Sequence, residues 1–306
     1  GPLQEQEDSS KPSSTGLQAS LPFDADLGVI VNQWLVGKTE LGSVSLTASV
    51  RKDLVDINSI RINSFGGTMD ARLKVQLKTP RPQSSLEAKV TSLNYGHLLR
   101  ALGVTKNIDG STGFEVTASG SGATMQEFLK TLTVNLQTGH TTFGLSTRLP
   151  EAQLPVALRQ ASLRVSNGGP VKIVAKGAYR GQDFGLRLMT ASPIDLTTPA
   201  TSWPILLTAR AGGALLEAKG ILNVDSPEIS GALLVSLKGK QVNELDPDLP
   251  PVGPYMLMAH VTKEGERYEV SDLRSRFGSS DLSGRLEVNL QNVRPQLKGI
   301  FTSKLI

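Results

Sequence analysis

The side chains able to do chemistry in this sequence are few and stand apart. Its three histidines, His97, His140 and His260, have no second ligand two or four residues away, the spacing that zinc sites on strands or helices require. His97 opens an amphipathic stretch and His140 lies in a Thr-Gly-His-Thr turn, so both read as surface residues. Asp246 and Asp248 flank Pro247, without the spaced series of oxygen donors that calcium needs. A turn with capping carboxylates accounts for them better. Gly120-Ser121-Gly122 lacks the Gly-x-Ser-x-Gly frame of a nucleophile elbow. Gly66-Gly67 falls between two strand-like runs, whereas a dinucleotide fingerprint belongs between a strand and a helix. The expectation is a non-enzymatic protein with no catalytic residue, no metal and no cofactor.

Composition agrees with a folded, water-exposed chain. Apolar residues make up 39% and charged ones 20%, with aromatics at only 5%, so a core must rest on Leu, Val, Ile and Ala. There is no cysteine, which removes disulfides and thiolate sites and suits an oxidising compartment. No apolar run approaches the roughly 18 residues of a membrane-spanning helix. The net charge of +4 comes from 32 basic residues scattered among 28 acidic ones. No basic stripe interleaved with aromatics points to nucleic acid. A mild positive balance would help docking to anionic headgroups, at about 1 kcal/mol per nearby basic residue. Charge this scattered reads first as a solvated surface.

The dominant signal is alternation with period two, which puts one set of side chains on each face of a strand. It is cleanest at Met69, Ala71, Leu73, Val75 and Leu77, and again at Val44, Leu46, Ala48 and Val50. Ile229, Leu233, Val235 and Leu237 repeat it around Gly231, as do Leu286, Val288 and Leu290. Turn residues such as Gly66-Gly67 and Gly212-Gly213 separate the runs, and strands about ten residues apart indicate a large antiparallel meander. Two stretches take helical spacing instead: 95–103, ending on Gly103, and 124–132, with Met125, Phe128, Leu129 and Leu132. The expected fold is therefore all-β and mainly antiparallel, with two or three short helices. An alternating sheet must cover its apolar face with a second sheet, a helix or a ligand. Stacked sheets are the commoner solution; an open curl would leave a trough lined by the sets just named.

The chain also echoes itself. Phe65-Gly66-Gly67, Arg72 to Leu77 and Arg81-Pro82-Gln83 return as Phe277-Gly278-Ser279, Arg285 to Leu290 and Arg294-Pro295-Gln296, with both Arg72–Arg285 and Arg81–Arg294 separated by 213 residues. Repeated β-units point to an elongated, stackable sheet. Residues 1–16 are expected to be a protease-cleavage scar, Gly1-Pro2-Leu3, followed by a disordered Ser- and Glu-rich tail. A first β-repeat unit is expected over 17–150 and a second, stopping in mid-pattern, over 151–306.

Asp24-Ala25-Asp26-Leu27, Phe65-Gly66-Gly67, Tyr95 to Leu99 with Gly110 to Gly122, and Leu249 to Tyr255 with Pro295 to Ser303 come in an order that resembles the AsmA family of bacterial envelope proteins. The resemblance covers roughly residues 24 to 306 and involves no catalytic motif. It implies an elongated, curved repeat sheet forming an open groove, of the bridge-like lipid transfer type. It implies a periplasmic location, tethered to the inner membrane by an anchor outside these residues, and a part in outer-membrane biogenesis. The implied partners are phospholipid or another envelope lipid and outer-membrane assembly proteins, with no nucleic acid. The rival expectation is a structural adaptor: a closed β-sandwich without lipid cargo.

Overall fold

The computed structural model describes residues 23–36, 39–77, 80–101, 108–139, 141–146, 153–179, 182–197, 202–225, 228–244, 250–290 and 294–304. The expected tail, His140, Asp246 and Asp248 lie outside the described residues. So do residues 147–152, where the division into two units was expected.

Alternation turns directly into strands. The chain runs through β1 (Ala25–Val36), β2 (Thr39–Arg51), β3 (Leu54–Ser64), β4 (Gly67–Gln76) and β5 (Gln83–Asn94) before α1 (Tyr95–Ala101). Then come β6 (Ile108–Asp109), β7 (Ser111–Ser121), α2 (Met125–Thr131), β8 (Thr133–Thr138), β9 (Thr141–Ser146), β10 (Gln153–Val165), β11 (Lys172–Tyr179) and β12 (Gln182–Met189). After α3 (Pro193–Thr197) follow β13 (Ser202–Ala211), β14 (Ala214–Asp225), β15 (Glu228–Gly239), a 3-10 turn (Val242–Glu244), β16 (Tyr255–Glu264), β17 (Arg267–Phe277), β18 (Ser280–Asn289) and β19 (Gln296–Thr302).

These strands form one antiparallel meander. Each pairs with its neighbour in the chain, except where a strand is broken in two. β6 and β7 are one such strand, interrupted at Gly110, and β8 and β9 are another. β10 closes the gap by pairing with β9 through its first half and β8 through its second. The result is a curved, open, all-β sheet of seventeen strand positions. Among the described residues no second sheet lies over it and no pairing joins β1 to β19.

The repeat seen in the sequence is a structural one. β2–β5 and β16–β19 are equivalent strand quartets, and their irregularities coincide. The register slips between Ile57 and Ile60 where β3 meets β4, and between Val270 and Leu273 where β17 meets β18. The Leu77 N–H donates to the Asp53 carbonyl (2.8 Å), and the Leu290 N–H donates to Glu266 in the same way (3.0 Å). A bulge adds local twist and bends the strand that carries it, so recurring bulges impose the same bend in both quartets.

Candidate functional site: an uncovered apolar trough

The register assembles the alternating residues into rows that run across the sheet. In one row Val29, Leu46, Ile60, Ala71 and Ala88 on β1–β5 lead to Val116 on β7 and Leu136 on β8. The row continues through Leu163, Ile173, Leu188 and Leu207 to Ala218, Val235 and Ala259 on β16. Every member is aliphatic. At about 4.8 Å per strand, this row of fourteen residues is about 60 Å long.

A parallel row starts from Val31, Val44, Ile62, Met69, Val90 and Phe114, and ends with Leu216, Leu237, Leu257, Ser275 and Leu282. Its only polar members are Thr138 and Ser275. Both hydroxyls are turned into the backbone: Thr138 Oγ1 accepts from the Ala161 N–H at 2.9 Å, and Ser275 Oγ donates to the Leu282 carbonyl at 3.0 Å. A bonded hydroxyl presents little more than its carbon atoms to the face. Neither row carries a charged side chain.

The two faces differ in shelter although, among the described residues, no second sheet covers either. On the alternating face Val90 is 4% exposed, Val165 3% and Ala259 2%. Aliphatic residues on the opposite face of equally central strands, Leu206, Ile221 and Leu234, are 42–48% exposed. Side chains of one sheet lose solvent so unequally only if the sheet bends toward one of its faces. The alternating apolar face is therefore the concave one. It opens at the edge strands, where Leu27 and Val29 on β1 and Leu297 and Phe301 on β19 are exposed.

Helix α2 packs on the Ser121 end of β7. Thr124 caps it by accepting from the Glu127 N–H (3.2 Å), and Glu127 Oε2 accepts from the N–H of Ala123, the residue before the cap (3.0 Å), a variant of the capping box. Phe128 lies over Gly120 at the end of the concave face of β7; a Cβ there would stand 2.7 Å from its ring. Thr131 Oγ1 bonds both the N–H and the carbonyl of Ser121, at 2.7 and 2.6 Å. The Gly-Ser-Gly segment is thus the seat of a helix.

The expected lining residues fall on this face. Val44, Leu46, Ala48, Val50, Met69, Ala71, Leu73 and Val75 share it across β2–β4, and Leu233, Val235, Leu237, Leu286 and Val288 share it on β15 and β18. Leu77 and Leu290 stand one residue beyond their strands. The side chain of Ile229 lies outside what is described. Sequence reading missed the middle of the trough, from Leu163 through Ile173 and Leu207 to Ala218. The signal there is blurred, because Leu206, Ile221 and Leu234 place aliphatic residues on the other face as well.

The candidates for other chemistry do not converge. His97 is exposed in α1, where its N–H donates to Asn94 Oδ1 at 2.9 Å. His260 Nδ1 lies 3.2 Å from Asp272 Oδ2 on the convex face, both exposed. Among the described residues no three of His, Asp or Glu gather to hold a metal, and no helix is long and apolar enough to cross a membrane.

One buried group titrates unusually. Tyr255 is 4% exposed, its hydroxyl has no partner among the described residues and its ring packs against Gly239. Burial, aided by the nearby Glu244 carboxylate, pushes its phenol above the ordinary value of 10.0. The unfolded chain then ionises first, so this contribution to stability is complete below pH ~10 and lost as pH rises through the folded value. Urea midpoints should hold up to pH ~10 and then fall. Tyr255→Phe should shrink that alkaline fall and, by removing an unpaired hydroxyl, stabilise by about 1 kcal/mol at neutral pH.

Comparison with family models, with curated proteins and with solved structures returns no match for this chain.

Proposed function

We propose that this chain is a non-enzymatic lipid-binding and lipid-transfer module, whose concave face shields the acyl chains of a phospholipid while headgroups stay in water. The observation that carries the reading is the aliphatic row from Val29 to Ala259, uncovered by any second layer among the described residues. Acyl chains need a lining without directional bonds, and each ~100 Å² of their surface buried contributes about 2.5 kcal/mol. One bilayer leaflet is about 15 Å of hydrocarbon, so a row about 60 Å long has room for several chains in succession. A continuous lining also lets a chain slide from one set of side chains to the next without meeting a charge.

The AsmA resemblance, with its implied periplasmic location, inner-membrane tether and part in outer-membrane biogenesis, is the context in which such a conduit makes sense. Native mass spectrometry of the purified chain mixed with phospholipid tests the reading. Adducts of one or more phospholipid masses, lost on dissolving the trough with denaturant, are the expected result. A chain that stays free of lipid at saturating phospholipid overturns the reading and leaves the structural adaptor.

A further inference from the structure

The convex face is not uniformly solvated. Over much of it cations pair with carboxylates, on neighbouring strands for Arg61 with Asp70 (2.7 Å), Lys89 with Glu115 (2.8 Å) and Arg267 with Glu287 (3.1 Å), and across β11 for Arg159 with Asp183 (2.6 Å). Further along the same strands as Arg159 and Asp183 lies a region of another kind. On β10–β12, Arg164 stands directly opposite Lys172, and Val174 is flanked by Lys172 and Lys176 along β11 and faces Arg187 on β12. None of these four cations has a carboxylate partner among the described residues. Like charges directly opposite in a sheet destabilise it, so the cluster costs the fold something that a bound anion would offset.

Exposed aliphatic side chains adjoin the cluster. Met189 pairs with Leu206, Leu206 and Leu234 both pair with Lys219, and Ile221 lies two residues along β14. Met258 on β16 stands opposite Ser236, two residues along β15 from Leu234, whose own partner on β16 is His260. Met189, Leu206, Ile221, Leu234 and Met258 are 36–48% exposed, far more than their counterparts in the trough.

We propose that the convex face of β10–β16 docks on the surface of a bilayer containing anionic lipid. The basic cluster meets headgroup phosphates while the aliphatic strip, with Lys219 reaching past it, enters the interfacial layer. Charge complementarity selects the anion, and the contiguous aliphatic strip selects a bilayer over a soluble phosphate. The site is on the opposite side of the sheet from the trough and does not depend on cargo there.

Co-sedimentation with vesicles decides the matter, comparing phosphatidylcholine alone with phosphatidylcholine containing phosphatidylglycerol. The chain should sediment with the anionic vesicles and not the neutral ones, and rising salt should release it. Reversing three charges in one variant (K172E, K176E, R187E) should weaken binding about a hundredfold, with an unchanged circular dichroism spectrum. The triple change Leu206→Ser, Ile221→Ser, Leu234→Ser should weaken binding while keeping its salt dependence. Val116→Asp, in the trough, should bind vesicles as the parent does, so failure of this proposal is separable from failure of the lipid-cargo reading. Equal binding to both vesicle types, or undiminished binding by the charge-reversed variant, overturns the proposal. Poly-glutamate binding as tightly as the anionic vesicles also overturns it, and assigns the face to an acidic protein.

Discussion

Val116→Asp should abolish phospholipid binding while the protein stays folded, and Ser119→Asp on the same strand should leave both binding and folding as in the parent. Val116 belongs to the aliphatic row, between Ala88 on β5 and Leu136 on β8. Ser119 points to the other face, opposite Ser85 and Thr133, and is exposed. Without lipid, water reaches the introduced carboxylate, because no second sheet covers that face among the described residues, so folding should lose only about 1 kcal/mol. An acyl chain laid over it would strip that water away, and desolvating an unpaired charge costs several kcal/mol. Affinity should therefore drop at least a hundredfold. Titration with a fluorescent phospholipid gives the affinity, and urea denaturation gives the stability. Were the face instead closed against a second layer, the same change would unfold the protein. Unaltered binding by a folded Val116→Asp would remove the trough as the lipid site.

How far the sequence reveals this arrangement depends on whether the two faces of a strand differ. On β4 each apolar residue from Met69 to Val75 is separated by Asp, Arg or Lys, and strand, face and lining all follow from the pattern. On β13 and β15 the runs Ile205-Leu206-Leu207 and Leu233-Leu234-Val235 are apolar on both faces. Period two is hidden on β13 and survives on β15 only as Ile229, Leu233, Val235 and Leu237, so the convex strip stays hidden. The choice between an open trough and a closed sandwich was not legible from one strand at a time, since both need the same alternation. It depends on pairing between strands far apart in the chain: among the described residues each strand joins only its neighbours and none returns to cover the face. The 213-residue echo was legible because turn and bulge positions recur with the residues that make them, as at Phe65-Gly66 and Phe277-Gly278.

The helix seated at the end of β7 supplies the second large effect, because its seat admits no side chain. Gly122 is buried, with its N–H donating to the Pro82 carbonyl at 3.0 Å. A Cβ on it would run into the backbone nitrogen of Phe128 and stand 2.7 Å from the Glu127 carbonyl carbon, both within α2. Backbone cannot rotate aside, so Gly122→Ala must lift the helix and break the paired bonds between Thr131 and Ser121. Overpacking of this kind costs about 1–3 kcal/mol, and each lost hydrogen bond about 1 more. A total near 3 kcal/mol is expected for Gly122→Ala. Gly120→Ala is the informative contrast: its Cβ meets only the ring of Phe128, the far end of a side chain that can turn, and about 1 kcal/mol is expected. Hydrogen exchange should show lost protection in α2 for Gly122→Ala and near-parental protection for Gly120→Ala. With α2 lifted, Phe128 leaves the end of the concave face, and bound phospholipid should dissociate faster than from the parent chain. Equal exchange in the two variants would mean that α2 is held by its own capping box and its contacts beyond β7.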